Sequence, residues 1–185
     1  MGKRLFVSVD LDGLADEVAT VQERFAGASG LRPTDPGQTH VTLKFLGDTD
    51  PDRVPDLVDE LEAAVDDAAV DPFELCVGGL GVFPDLDYIS VVWVGVREGG
   101  EQLTRLYEAI EKRTTAMGFD PEDHEFTPHA TVARMDHAGG KELVQERVRT
   151  DDPGVGVVDV QEIRLKESTL GSDGPTYETV DRVPL

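Results

Sequence analysis

Apolar positions along the chain follow two periods. Residues 4–9, 40–46, 73–77, 88–96, 126–133, 155–165 and 176–180 are β-branched or alternate apolar with polar, which predicts strands. Between them the spacing changes to three and four. Leu14, Val18, Val21 and Phe25 form one helical stripe, Leu57, Leu61, Val65 and Ala68 a second, and Leu103, Leu106, Ile110 and Met117 a third. A shorter helix is expected over 140–149. Gly, Pro and Asp place loops at 32–38, 78–81, 84–87, 118–125 and 151–156, the glycines at 78–81 reading as a turn or a bulge. None of these stretches is long enough for an interdomain linker. Residues 1–185 therefore read as a single α+β domain, helices packed against largely antiparallel sheets.

One pattern occurs twice. Thr39-His40-Val41-Thr42-Leu43 and Pro128-His129-Ala130-Thr131-Val132 each precede a turn and a helix, so the chain looks like two related halves. On a strand, a histidine and a threonine two residues apart share one face, while Val41 and Leu43, or Ala130 and Val132, share the other. Each strand then has a chemical face and a core face. Four His and fourteen Thr in 185 residues give roughly 0.3 such triplets by chance. One alone would read as an ordinary half-buried strand histidine, but two in matched contexts point to chemistry.

Charge narrows the classes. Thirty-eight Asp and Glu against seventeen Lys and Arg leave a net charge of −21, while 39% hydrophobic residues suffice for a core. A whole-surface polyanion binder is excluded, so any RNA contact is local. Twenty-two Asp against sixteen Glu, five Lys and no Asn form the composition expected of adaptation to high salt. The apolar run Leu5–Val9 is too short for a signal-peptide core, and Val91–Val96 cannot span a bilayer, so a cytoplasmic protein without a membrane is expected. Cys76 is alone, which removes an internal disulfide and a multi-thiolate metal site. His124 and His137 lack the motif and read as solvated loop residues. Trp93, set in a run of valines, reads as strand core.

Two imidazoles can do together what one cannot. One in the neutral form takes a proton from water while the other, charged, donates to a leaving oxygen. That pairing suits in-line attack on a phosphodiester, each threonine hydroxyl donating to a non-bridging oxygen. Two His-Thr pairs would clasp one phosphate from opposite sides, without a metal or other cofactor.

The segments R-L-F-V-S-V-D-L (4–11), H-V-T-L-K-F-L-G (40–47), G-V-F-P (81–84), V-V-W-V-G-V (91–96) and F-T-P-H-A-T-V-A-R (126–134) resemble those of the RNA 2′,3′-cyclic phosphodiesterases. I-R-L-K-E-S-T-L followed by G-P-x-Y (163–177) completes the resemblance. This family belongs to the two-histidine phosphoesterases and is historically called 2′-5′ RNA ligases. The resemblance implies a bilobal fold with pseudo-twofold symmetry, two largely antiparallel sheets flanked by helices around a central cleft, and one His-x-Thr motif per lobe. It implies hydrolysis of RNA 2′,3′-cyclic phosphate ends to 2′-phosphomonoesters, with reverse 2′-5′ ligation as a second reaction. Carried over, His40 is the proton donor and His129 the proton acceptor, while Thr42, Thr131 and Arg134 bind the phosphate. RNA with a cyclic phosphate end, tRNA fragments included, would be the partner of a monomer. The alternatives are a cyclic nucleotide or ADP-ribose cyclic phosphate as substrate, or a non-catalytic RNA- or nucleotide-binding module.

Two residues test the parity of these strands. Arg134 lies five residues after His129, so a regular strand turns it away unless the strand ends or bulges first. Lys44, four residues after His40, is expected on the histidine's face, where its charge would favour neutral imidazole. Where the family carries Pro-Arg before the Val-x-Trp strand, this chain has Ile89-Ser90, one cation fewer along the RNA path.

Overall fold

Five consecutive buried residues, Leu5–Val9, make the first strand one that is covered on both faces. In the computed structural model, which describes residues 2–185, that strand is β1 (Lys3–Asp10). It is followed by α1 (Ala15–Glu23), β2 (Leu31–Pro33), β3 (His40–Thr49), α2 (Val54–Ala68), β4 (Phe73–Pro84) and β5 (Ile89–Glu98). The chain continues with α3 (Gly100–Ala116), β6 (His129–Met135), α4 (Lys141–Thr150), β7 (Gly154–Val160), β8 (Glu162–Gly171) and β9 (Gly174–Pro184). The expected α+β class and all four helices are present.

The helices form where their stripes predict, and burial explains why. Leu57, Leu61, Val65 and Ala68 of α2, and Leu103, Leu106 and Ile110 of α3, all enter the core. Met117 closes the third stripe just past the end of α3. The Asp50 carboxylate accepts from Asp52 N–H at 2.9 Å, starting a short 3-10 turn that leads into α2. Ala69 ends that helix with a left-handed φ of 52°.

All strand pairings are antiparallel, in the order β7-β4-β5-β6-β3-β1-β8-β9, with β2 added to β6. The two expected sheets are halves of one hydrogen-bonded surface. They meet at β3 and β6, where Val41↔Ala130 is the registered pair. Helices α2 and α3 pack on each other and on the half holding β3 and β9, while α1 and α4 pack on the half holding β4 and β7. The buried residues of all four helices join the core to which Val41 and Ala130 point, and the opposite face of the sheet is open as a cleft.

Several boundaries differ from the sequence reading, the short strand β2 lying where a loop is expected, and three of the differences bear on the sheet. The stretch 155–165, read as one strand, breaks at Gln161 into β7 and β8, which belong to different halves of the sheet. Its β-branched alternation runs through the break, so no local signal marks it. Strand β4 continues through 78–81, where a register shift between Gly78 and Leu80, with Gly79 at φ +83°, makes this segment a bulge. Strand β6 begins at His129; Phe126, expected inside it, instead stacks on Tyr107 of α3 at 4.4 Å between ring centres.

Candidate active site

The seam between the halves brings the two motifs together. Val41 and Ala130 are level with each other and face the core, so the antiparallel register sets His40 beside Thr131 and Thr42 beside His129. All four side chains project from the cleft face. Both histidines are tethered alike: His40 Nδ1 donates to the Gln38 carbonyl at 2.8 Å, and His129 Nδ1 to the Thr127 carbonyl at 2.6 Å. Each bond holds the ring in the tautomer whose Nε2 is free to exchange a proton at the cleft.

Each imidazole also sits in an aromatic box. Tyr177 meets His40 edge-on, 5.1 Å between centres at 87°, and Phe6 lies tilted 5.1 Å away. Phe83 meets His129 edge-on at 4.8 Å and 86°, and Trp93 lies tilted at 5.7 Å. These rings fix orientation and exclude water. Burial is accordingly the largest influence on both histidines and lowers each below the ordinary imidazole value. The carbonyl bonds act the other way at both. Asp10 also favours charged His40, whereas Lys166 and Arg134 oppose it; at His129 the His124 charge adds to the lowering.

Bulges settle the parity of both motif strands. Against β1, Lys44 pairs with Val7 and Thr42 with Ser8, which leaves Leu43 as the extra residue of β3. Lys44 therefore turns to the core face, contrary to the expectation that it shares His40's side. There it is 1% exposed and donates to Glu111 Oε2 at 2.8 Å and to the Asp120 carbonyl. The cation beside His40 is instead Lys166. Against β5, Ala133 pairs with Val92 and Thr131 with Trp93, so Val132 is the extra residue of β6. This bulge returns Arg134 to the cleft, where its charge bears on both His40 and Tyr177.

Beyond His40 the cleft face is filled with a charged network. Asp10 accepts from Ser8 Oγ at 2.7 Å, Lys166 Nζ at 2.6 Å and an Arg164 nitrogen at 2.8 Å. Burial opposes the Asp10 charge, but these donors outweigh it and hold the carboxyl below the usual carboxylate range. The signal for this network lay in β1, where Phe6, Ser8 and Asp10 alternate with apolar residues, and in Tyr177 of the quoted G-P-x-Y segment. Trp93 corrects another expectation. Val92 and Val94 enter the core, while Trp93 pairs with Thr131 and faces the cleft. His124 pairs with Asp123, and His137 accepts from Gly139 N–H; both are exposed, as expected of loop residues. Among the described residues no cluster of three or more His, Cys, Asp or Glu is arranged to hold a metal ion, and no helix is long and apolar enough to cross a membrane.

Known proteins resemble this chain over nearly its whole length. The RNA 2′,3′-cyclic phosphodiesterase of Methanothermobacter thermautotrophicus is 34% identical over 98% of each chain. That of Archaeoglobus fulgidus is 33% identical over 95% of this chain and 96% of its own. The crystal structure of TT0787 from Thermus thermophilus aligns over 98% of this chain and 97% of that one, at 25% identity and a TM-score of 0.80. E. coli LigT, crystallised with 3′-AMP, shares the fold over 100% of this chain and 99% of its own, at 22% identity and a TM-score of 0.78. A model of the 2′-5′ RNA ligase superfamily matches residues 12–169, a span that holds both His-x-Thr strands and the bulges after them, and the chain belongs to that superfamily.

Proposed function

We propose that the chain is an RNA 2′,3′-cyclic phosphodiesterase, a single two-lobed domain with one His-x-Thr motif in each lobe. The observation that carries the reading is the pair of likewise tethered histidines facing one cleft across the Val41–Ala130 seam. Relatives of matching length that bear that name support RNA as the substrate class.

His129 Nε2 takes a proton from water as the water oxygen attacks phosphorus. The bond from phosphorus to the 3′ oxygen breaks in line, and His40, entering protonated, gives its proton to that oxygen. The product is a 2′-phosphomonoester. Thr42, Thr131 and Arg134 hold the non-bridging oxygens, where negative charge grows in the transition state. Both imidazoles are neutral in the empty site above their lowered values, and the anionic phosphate draws the proton onto one of them. The steps use protein groups alone, and with an RNA 5′-hydroxyl attacking in place of water the same displacement joins RNA ends through a 2′-5′ linkage. The reading extends to a monomer acting in the cytoplasm on RNA ends, tRNA fragments among them.

The test is an EDTA-containing assay in concentrated KCl with a short RNA ending in 2′,3′-cyclic phosphate, resolving 2′- from 3′-phosphate products. Formation of the 2′-phosphate alone, abolished in both His40→Ala and His129→Ala, is expected. A folded protein that binds this RNA without turning it over would sink the reading in favour of a binding module. Turnover confined to a cyclic nucleotide would move it to a small substrate.

A further inference from the structure

The two halves of the cleft face differ in what stands beside the histidine. Beside His40, across β1 and β8, the face is packed with Ser8, Asp10, Arg164 and Lys166. Beside His129, across β5 and β4, it is hollow. Gly95 pairs with His129, Gly78 with Gly95, and Gly81 with Trp93, so the floor there is glycine backbone around one indole, bounded by Phe83 and by the Arg97 side chain, which covers Gly78 and is held by Asp152. A methyl group on Gly81 would overlap the Trp93 ring, and one on Gly95 would lie 3.1 Å from the Gly78 carbonyl and 3.4 Å from the same ring. The indole thus lies flat on glycine backbone, braced by Phe83 at 5.2 Å, and its buried Nε1 has no hydrogen-bond partner among the described residues. Packing alone holds it.

Over this floor runs a groove of about 680 Å³, walled by Leu80 on one side and by α3 on the other, and reaching Thr127 and Pro128 just before His129. Its chemistry is wrong for a phosphate. Glu101 and Glu108 line it, and Arg105, its one lining cation, is committed to the Ala68 and Ala69 carbonyls at the end of α2. An aromatic face with carboxylate acceptors at the wall suits instead a flat, neutral heterocycle with N–H groups on its edge.

Resting on the function proposed above, we propose that this groove binds the base of the terminal nucleoside, stacked on Trp93, so that the hollow half takes the base while the two histidines take its cyclic phosphate. Trp93 lies 5.7 Å from His129 between ring centres, a distance that one ribose spans. The glycines then have a common purpose: any side chain at 81 or 95 would displace the stacking surface.

Trp93 is the one tryptophan of the chain, so its emission reports directly on the groove. Wild-type protein in concentrated KCl is titrated with adenosine 2′-phosphate, ribose 5-phosphate and inorganic phosphate. Saturable quenching by the nucleotide, at least about twofold greater than with either base-free phosphate, is expected from stacking. Equal changes with all three, or a nucleotide that inhibits turnover without quenching, would overturn the proposal. Thr104→Phe, which fills the groove from α3, should raise KM for the RNA about tenfold and leave kcat within about twofold; an unchanged KM would overturn it too. Should the wild type fail to turn over the RNA, the proposed reaction falls, yet the emission titration still decides the base site.

Discussion

Phe45 and Arg134 occupy equivalent places in the two halves: each is the fifth residue after a motif histidine, carried back to the cleft face by a bulge two residues earlier. Phe45 pairs with Phe6 and is 68% exposed, a bare aromatic surface where the other half offers a guanidinium. The device is shared but the chemistry is not. At this position one half directs a charge at the cleft and the other an aromatic ring, which gives a symmetric frame an asymmetric task.

Arg134→Ala should therefore lower kcat/KM for cyclic phosphate RNA about ten- to a hundredfold, the worth of a charge-assisted hydrogen bond. The melting temperature should hardly move, because the side chain is exposed and supports no packing. Steady-state kinetics beside a thermal melt check both parts. An Arg134→Ala enzyme with wild-type kcat/KM would remove Arg134 from the phosphate site.

Burial lowers both histidines, and this sets two pH dependences. The free enzyme needs one imidazole neutral and one charged, so kcat/KM should peak on the acid side of the ordinary value of about 6.5. Bound phosphate raises both, so the kcat optimum should lie at higher pH. Stability follows the same sign. The unfolded chain takes up protons more readily, so the contribution from the buried neutral rings is complete above about 6.5 and is lost as pH falls toward the folded-state values. Rate profiles and melts from pH 4.5 to 8 would test this; a kcat/KM optimum well above neutrality would contradict it.

Lys44 ties β3 to α3 through Glu111 and to the 118–125 loop through the Asp120 carbonyl. Glu111 in turn accepts from Glu122 N–H at 2.8 Å. Lys44→Met leaves that carboxylate without its cation in a nearly closed site and should cost about 3 kcal/mol, read from denaturant unfolding. Turnover measured well below the new midpoint should persist, since the side chain faces away from the histidines. Loss of activity in a folded variant would instead restore Lys44 to the cleft.

Salt should matter to the fold itself. Helix α2 carries Asp56, Asp59, Glu60, Glu62, Asp66 and Asp67, of which Arg113 bridges Glu60 at 2.9 Å and Asp67 at 2.7 Å. With a net charge of −21, this repulsion is screened only when the Debye length shrinks to about 3 Å near 1 M salt. The melting temperature should fall steadily as KCl is removed, α2 losing hydrogen-exchange protection first. A melt indifferent to KCl would argue that the acidic skin is mere solubility.

Period and spacing were enough to read the helices, most strands and the pairing of His40 with His129, because one covered face repeats every two or 3.6 residues. What they could not carry was anything decided by a neighbouring strand. Lys44 and Arg134 each change sides through an extra residue that only the partner's register reveals. Trp93 sits among valines, and strict alternation alone would have sent it to the cleft, but a fully covered strand has an equally apolar run. The break at Gln161 was silent for a related reason: β7 and β8 are both good strands, and their separation is a matter of which half each joins. The glycines at 78, 79, 81 and 95 looked like punctuation, whereas three of them are the floor of a groove.

The interleaving of the halves has its own consequence. The half that presents His40 is built from β3 and β1 together with β8 and β9 from the far end of the chain, and the half that presents His129 recruits α1 and β2 from near its beginning. A cut in the 84–87 turn would leave an amino-terminal piece without β8 and β9, and a carboxy-terminal piece without β4. Neither fragment owns a finished side of the cleft. In a chain whose single cysteine offers no cross-link, this lacing clamps the two histidines together, so they should lose their mutual alignment only when the whole domain melts, and a one-motif fragment should show neither half of the chemistry.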